Sequence, residues 1–202
     1  MTRISAVAAC TPGYFCVSGV KAACAPGTYG STFLLNTSAC SGVCPAGFVC
    51  GPATSNYSAS PCGAAVFYCP LGSSVALPVA SGYYAVGPSR MAYDAQPCDA
   101  GHYCTAGVRF PCAAGRYGCS THLSTPDCNG LCLEGFYCDL GSTSNHEAAC
   151  GATFVFCPLG AAAPTAVSVG WYTVGGPDFA RAGQLPCPAG VGAQPAACCS
   201  AR

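Results

Sequence analysis

The sequence predicts a small disulfide-rich fold, mostly irregular with short β-strands and little or no helix, arranged as an elongated tandem-repeat rod. Three observations predict it. The 202 residues include 20 Cys, a density typical of disulfide scaffolds. Leu, Ile, Val and Phe make up fewer than one residue in five, which is too little for an ordinary core, so crosslinks must supply part of the stability. The cysteines also recur with a fixed period.

One short motif returns along the whole chain: Cys-x-x-Gly, then an aromatic residue, and usually a second Cys. The glycine lets the chain turn through positive φ beside a crosslink. The aromatic ring covers a sulfur pair, and the cysteines fasten a loop too small to hold itself. The copies lie at residues 10–16, 44–50, 98–104 and 132–138, with Gly in place of the second Cys at 24–30 and 112–118.

Eight cysteines of the first half return 88 residues later, which predicts two tandem repeats, 10–97 and 98–186. We interpret residues 1–9 as the tail of a preceding repeat or an N-terminal arm, and residues 187–202 as a partial third repeat or a C-terminal cap. The first set is Cys10, Cys16, Cys24, Cys40, Cys44, Cys50, Cys62 and Cys69, and the second is Cys98, Cys104, Cys112, Cys128, Cys132, Cys138, Cys150 and Cys157.

Eight cysteines per repeat suit four bridges, although the sequence leaves 105 pairings open in each repeat. Four cysteines fall outside this scheme and are candidates for a junction or an inter-subunit bridge: Cys119, Cys187, Cys198 and Cys199.

Secondary structure is expected to be sparse. Runs of β-branched and aromatic residues bounded by Gly or Pro predict short strands. Elsewhere Gly and Pro recur too often for a helix of any length. The predicted strands are Val66–Tyr68, Tyr83–Val86, Thr153–Phe156 and Trp171–Val174.

The charge is low and balanced, with seven basic and seven acidic residues and none between positions 22 and 89. No basic patch is available for nucleic acid. Since a soluble surface is usually about one quarter charged or more, we expect glycans or neighbouring copies to cover this one. Two sequons, Asn36-Thr-Ser and Asn56-Tyr-Ser, predict covalent N-glycans at Asn36 and Asn56.

The cysteine spacings do not favour a metal or a cofactor. Only Cys40-x3-Cys44 and Cys128-x3-Cys132 fit the pair spacing of zinc sites, and we expect neither metal nor cofactor. The three histidines lack a nucleophile and an orienting group at suggestive positions, so we expect no catalytic residues. Lys21 returns as Arg109, which we interpret as a solvated charge needed for packing or, alternatively, as a partner contact.

The cysteine density places the protein in an oxidising compartment, so we expect an extracellular, secreted or cell-surface location. Residues 1–9 lack the apolar segment of a signal peptide, which we attribute to a mature or partial chain. The long charge-free run at 148–170 is broken by Gly and Pro, so we expect no membrane span in this sequence.

The motif of residues 24–40, Cys-x-x-Gly-x-Tyr-x10-Cys, resembles ephrin-receptor-type and tumour-necrosis-factor-receptor-like cysteine-rich repeats. The fuller phrase, with Gly-Tyr/Trp-Tyr-x-Val-Gly at 82–87 and 170–175, is similar to tandem arrays in surface proteins of algae and other protists. The resemblance covers about residues 10–190. It implies an extracellular, disulfide-bonded array without catalytic activity, and it implies Cys24–Cys40 and Cys112–Cys128 as bridges.

These observations favour a structural role: a subunit of an extracellular glycoprotein fibre, coat or surface appendage that assembles head to tail with copies of itself. The alternative is a ligand-binding cysteine-rich ectodomain of a cell-surface receptor. A receptor should show one distinctive charged or aromatic patch, and a fibre subunit should self-associate.

Overall fold

The computed structural model describes residues 8–188. The predicted fold class is confirmed: this part of the chain consists of short β-strands, turns and disulfides, with one 3-10 turn at Tyr57–Ala59 as its helical element. The strands are β1 (Tyr14–Val17), β2 (Val20–Ala23), β3 (Thr28–Tyr29), β4 (Gly42–Val43), β5 (Phe67–Tyr68), β6 (Leu77–Pro78), β7 (Tyr83–Val86), β8 (Asp94–Pro97), β9 (His102–Thr105), β10 (Val108–Pro111), β11 (Arg116–Tyr117), β12 (Gly130–Leu131), β13 (Phe136–Tyr137), β14 (Ala148–Ala149), β15 (Val155–Phe156), β16 (Thr165–Ala166), β17 (Trp171–Val174) and β18 (Gly183–Pro186).

Each described strand pairs with its neighbour in sequence, giving two-stranded sheets only. The predicted strands Tyr83–Val86 and Trp171–Val174 have the expected bounds. The other two are shorter than predicted and begin at Phe67 and Val155. The reason is a turn at each start, closed by hydrogen bonds from Phe67 N to Ala64 O and from Val155 N to Ala152 O.

The chain divides into two compact units. The first comprises Met1–Gln96 with Ala106–Val108, and the second comprises Pro97–Thr105 with Arg109–Arg202. The predicted repeat boundaries and the third repeat stay predictions, and residues 1–7 and 189–202 lie outside the described residues.

Every repeat cysteine forms a disulfide with an adjacent repeat cysteine in sequence. In the first unit the bridges are Cys10–Cys16, Cys24–Cys40, Cys44–Cys50 and Cys62–Cys69. In the second unit they are Cys98–Cys104, Cys112–Cys128, Cys132–Cys138 and Cys150–Cys157. The two bridges that the resemblance implied are therefore both present.

Disulfide cysteines make up most of the core of the described residues. The buried hydrophobic residues are thirteen disulfide cysteines and three alanines, Ala92, Ala161 and Ala180. No Leu, Ile, Val or Phe of residues 8–188 is among them. The crosslinks thus occupy the positions that large aliphatic side chains fill in ordinary domains.

The motif glycines do more than turn the chain. Gly27 and Gly47 have φ of 84° and 86°, a region that other residues rarely adopt. A Cβ on Gly27 would lie 2.5 Å from the Gly72 carbonyl oxygen, and one on Gly47 would lie 2.7 Å from that of Met91. Each of these two motifs therefore packs, backbone against backbone, on a segment further along the chain, a contact that only glycine allows.

Candidate assembly surface and modification sites

The cysteines outside the repeat scheme are placed differently from the others. Cys119 is an exposed free thiol, and Cys187 is disulfide-bonded. Cys198 and Cys199 lie outside the described residues. The cysteines of the two zinc-like spacings, Cys40-x3-Cys44 and Cys128-x3-Cys132, are all in disulfides, so their sulfurs are not available as thiolate ligands.

Both sequon asparagines are exposed. Asn36 lies in the loop between β3 and β4, and Asn56 precedes the 3-10 turn. The Asn56 side-chain oxygen accepts hydrogen bonds from the amide nitrogen of Ser58 at 3.1 Å and from its hydroxyl at 2.7 Å. Tyr57, the middle residue of that sequon, is held edge-on against Tyr29 and Phe48, with ring centroids 4.9 and 5.3 Å apart.

The second unit lacks the two sequons of the first unit and has charged side chains close to the corresponding positions. The positions 88 residues after Asn36 and Asn56 are serines. Close to them in sequence, Arg116 of β11 forms an ion pair with Asp127 at 3.1 Å, and the Glu147 carboxylate accepts hydrogen bonds from the amides of Thr143 and Ser144. At these positions, therefore, the second unit has charged side chains nearby and the first unit has candidate glycans.

We predict that Asn36, Asn56 or both carry N-glycan in protein secreted from a eukaryotic cell. Intact-mass measurement before and after glycosidase treatment checks this, and a mass decrease upon treatment is the expected result. Ser38→Ala and Ser58→Ala remove the two sequons one at a time and assign the mass to a site. A mass that glycosidase leaves unchanged would contradict the prediction.

The Lys21/Arg109 correspondence has a structural explanation. Lys21 Nζ lies 4.1 Å from the centroid of the Tyr14 ring and donates a hydrogen bond to Thr11. Arg109 contacts the ring of His102, which occupies the position of Tyr14, and forms an ion pair with Asp99 at 3.1 Å. Each cation therefore contacts a ring on the partner strand of its own hairpin. For Lys21 this contact is favourable because the face of the Tyr14 ring is electrostatically negative.

The contacts of His146 differ from those of a nucleophile–base–orienter arrangement. His146 has a hydroxyl and an amide oxygen beside it, Ser144 Oγ at 3.2 Å and Asn145 Oδ1 at 2.8 Å. Both contact the same ring nitrogen, Nδ1, whereas a triad uses the two nitrogens for different partners. His122 Nδ1 lies 2.9 Å from the Thr121 hydroxyl and is likewise on the surface.

The described surface has many large hydrophobic side chains, and the chain has few charges. Several of its large hydrophobic side chains are well exposed: Leu71 and its counterpart Leu159 are 70% and 61% exposed, and Phe33 and Phe154 are 63% and 67% exposed. Few charges separate them, since the chain has fourteen charged residues, seven of each sign. Exposed apolar side chains mark interaction sites in soluble proteins where they lie together in one patch.

Surface depressions on the described residues are small. One in the second unit, of about 230 Å³, is lined by Glu134, Phe136 and Phe179 among others. One in the first unit, of about 380 Å³, is lined by Cys10, Cys16, Leu34 and Leu35 among others. Small-molecule sites usually have volumes of about 300–1,000 Å³, so the first is below that range and the second is at its lower end.

No helix within residues 8–188 has the length and apolar character needed to cross a membrane.

The sequence was also compared with known proteins. Neither protein-family models nor curated proteins gave a match to this chain. The resemblance to cysteine-rich repeats therefore stays a prediction based on the motifs themselves.

Proposed function

We propose that this chain is a structural subunit of an extracellular glycoprotein fibre, coat or surface appendage, and that copies associate head to tail. The proposal is based on where the large apolar side chains lie, which is the reverse of their position in most globular proteins. Disulfides fill the core of the described residues, while large apolar side chains such as Leu71, Phe154 and Leu159 lie on the surface. A surface with so few charges needs a cover, and neighbouring copies supply it.

The disulfides support the extracellular location. The eight bridges between repeat cysteines close short loops, with sequence separations from 6 to 16 residues. Bridges at this density persist in oxidising compartments such as the cell exterior. Each of these loops is closed by its own bridge, so every loop is crosslinked independently of its neighbours.

The alternative function, a ligand-binding receptor ectodomain, is favoured by one observation. This observation is the depression lined by Glu134, Phe136 and Phe179. Glu134 corresponds to Ala46 of the first repeat, and Phe179 corresponds to Arg90. The acidic and aromatic side chains of this depression are therefore distinctive of the second repeat. Its volume of about 230 Å³ is small for a ligand site, so we favour the structural role.

We predict that the purified protein self-associates with increasing concentration. Sedimentation velocity from micromolar to millimolar protein is the measurement, and a progressive rise in sedimentation coefficient without a limiting dimer is the expected result. The physical reason is that a head-to-tail contact uses two different surfaces and does not close. A single monomeric species across the whole range would contradict the proposed function and leave the receptor alternative in its place.

A further inference from the structure

Two hairpins of the described chain have the same design. In each, a two-residue turn with positive φ joins two four-residue strands: β1 and β2 by Ser18 and Gly19, with φ of 49° and 78°, and β9 and β10 by Ala106 and Gly107, with φ of 51° and 73°. Such turns match the twist of the flanking strands. The two tips therefore present equivalent backbone groups at their ends.

The tip of the β9–β10 hairpin is docked within the first unit. The Gly107 carbonyl oxygen accepts a hydrogen bond from the Ala85 amide at 2.9 Å, and Gly107 forms a parallel bridge with Tyr84. A Cβ on Gly107 would collide with the Ala65 carbonyl oxygen. The contact is therefore backbone on backbone, and glycine is required for the close approach.

The tip of the β1–β2 hairpin is not covered by any of residues 8–188. Within the described part of the chain, nothing lies within 4 Å of a Cβ built on Gly19. Val20 is 67% exposed, whereas Val108, its counterpart in the docked hairpin, is 40% exposed. The first hairpin thus displays, in an accessible position, the same glycine tip that the second hairpin uses for docking.

The second unit has a face equivalent to the one that receives Gly107. Residues 65 and 85 of the first repeat correspond to Thr153 and Thr173, and β15 contacts β17 as β5 contacts β7. Thr173 is buried and its hydroxyl donates to the Thr153 carbonyl oxygen at 2.6 Å, which holds the two segments together. A carbonyl oxygen has two lone pairs, so this bond leaves one for a Cα–H contact from a glycine.

The rim of this face is apolar. Phe154 is 67% exposed where the first repeat has Val66 at 37%, and Trp171 is 39% exposed. The β1–β2 tip has exposed valines on either side of its turn, Val17 at 46% and Val20 at 67%. These valines can pack against the apolar rim without the cost of burying a charge, because none of the side chains is charged.

We propose that the β1–β2 tip of one copy docks on the Thr153–Thr173 face of a second copy, with the Gly19 carbonyl oxygen accepting a hydrogen bond from the Thr173 amide. The inference rests on the self-association of the proposed function and names the contact that produces it. The docked β9–β10 tip is the template, because it shows the same glycine turn received by the equivalent face in the first unit.

Gly19→Asn tests this contact. Asparagine tolerates the left-handed conformation, so the turn is retained while a Cβ is placed where the receiving carbonyl must approach. Gly141→Asn is the matched control, because Gly141 has φ of 80° and a Cβ there would meet its nearest atoms at 3.8 and 3.9 Å. Val20→Thr is a second variant that keeps the β-branched shape and replaces one exposed methyl by a hydroxyl.

Sedimentation velocity of the full chain is the readout, with intact mass under non-reducing conditions to show that the disulfides of each variant have formed. We expect the association constant of Gly19→Asn to fall by roughly tenfold or more, as for the loss of a backbone hydrogen bond and its close contact. The association constant of Val20→Thr should fall less, and that of Gly141→Asn should equal the association constant of the unmodified protein. If the unmodified protein associates and Gly19→Asn associates equally well, this inference is wrong and the proposed function stands. If the unmodified protein stays monomeric, both are wrong.

Discussion

Reduction of its disulfides is expected to unfold both units of this protein. Each bridge contributes about 2–3 kcal/mol for loops of this length in the chain-entropy model, and four are described in each unit. Their combined effect is comparable to the whole stability of a small domain, about 5–15 kcal/mol. Apart from the disulfides, hydrophobic burial contributes little to the stability of the described part of the chain, because its buried hydrophobic residues are cysteines and three alanines.

Amide hydrogen exchange before and after reduction and alkylation measures this effect. We expect the strand-pair amides, such as those of β1–β2 and β17–β18, to lose protection together. The control is the same alkylation without reductant, under denaturing conditions, which counts the free thiols. Protection that survives complete alkylation, or more than four alkylated cysteines in the control, would contradict the disulfide scheme.

Gly101→Ala is expected to be the most destabilising single substitution among the motif glycines. Gly101 has φ of 79°, and a Cβ there would collide with the backbone carbonyl of Gly141. The left-handed conformation alone costs about 1–2 kcal/mol for a residue with a Cβ. The collision with a backbone atom adds about 1–3 kcal/mol, the usual cost of overpacking.

Gly170→Ala separates these two costs. Gly170 has φ of 80° but nothing lies within 4 Å of a Cβ built there, so this variant has the conformational cost without the collision. Urea unfolding with intact disulfides, at one protein concentration, gives the comparison. Equal unfolding midpoints for the two variants would show that the close packing of the motif glycine on a later segment contributes nothing to stability.

The sequence predicted the crosslinked character of the fold because its signals are strong and local. The motif spacing and the 88-residue recurrence predicted a disulfide scaffold, and four-residue aromatic runs predicted β7 and β17. The pairing stayed open because eight cysteines can pair in many ways. In the structure each repeat cysteine bonds to a neighbour in sequence, for example Cys44 to Cys50, across a loop that is easily closed.

The hairpins and the glycine contacts could not be predicted in the same way. The β1–β2 and β9–β10 hairpins were not predicted, although the Ser18-Gly19 pair was a usable turn signal. Two-residue strands such as β3 and β4 are too short for a period to be seen. The packing of Gly27 on Gly72 joins segments that are distant in sequence, and nothing local in the sequence specifies such a contact.

Electron microscopy of the native, unreduced protein shows whether these disulfide-rich units associate head to tail into an extended assembly. We expect unbranched filaments or a continuous coat built from one repeating unit. Separate single particles in the native material would contradict head-to-tail assembly.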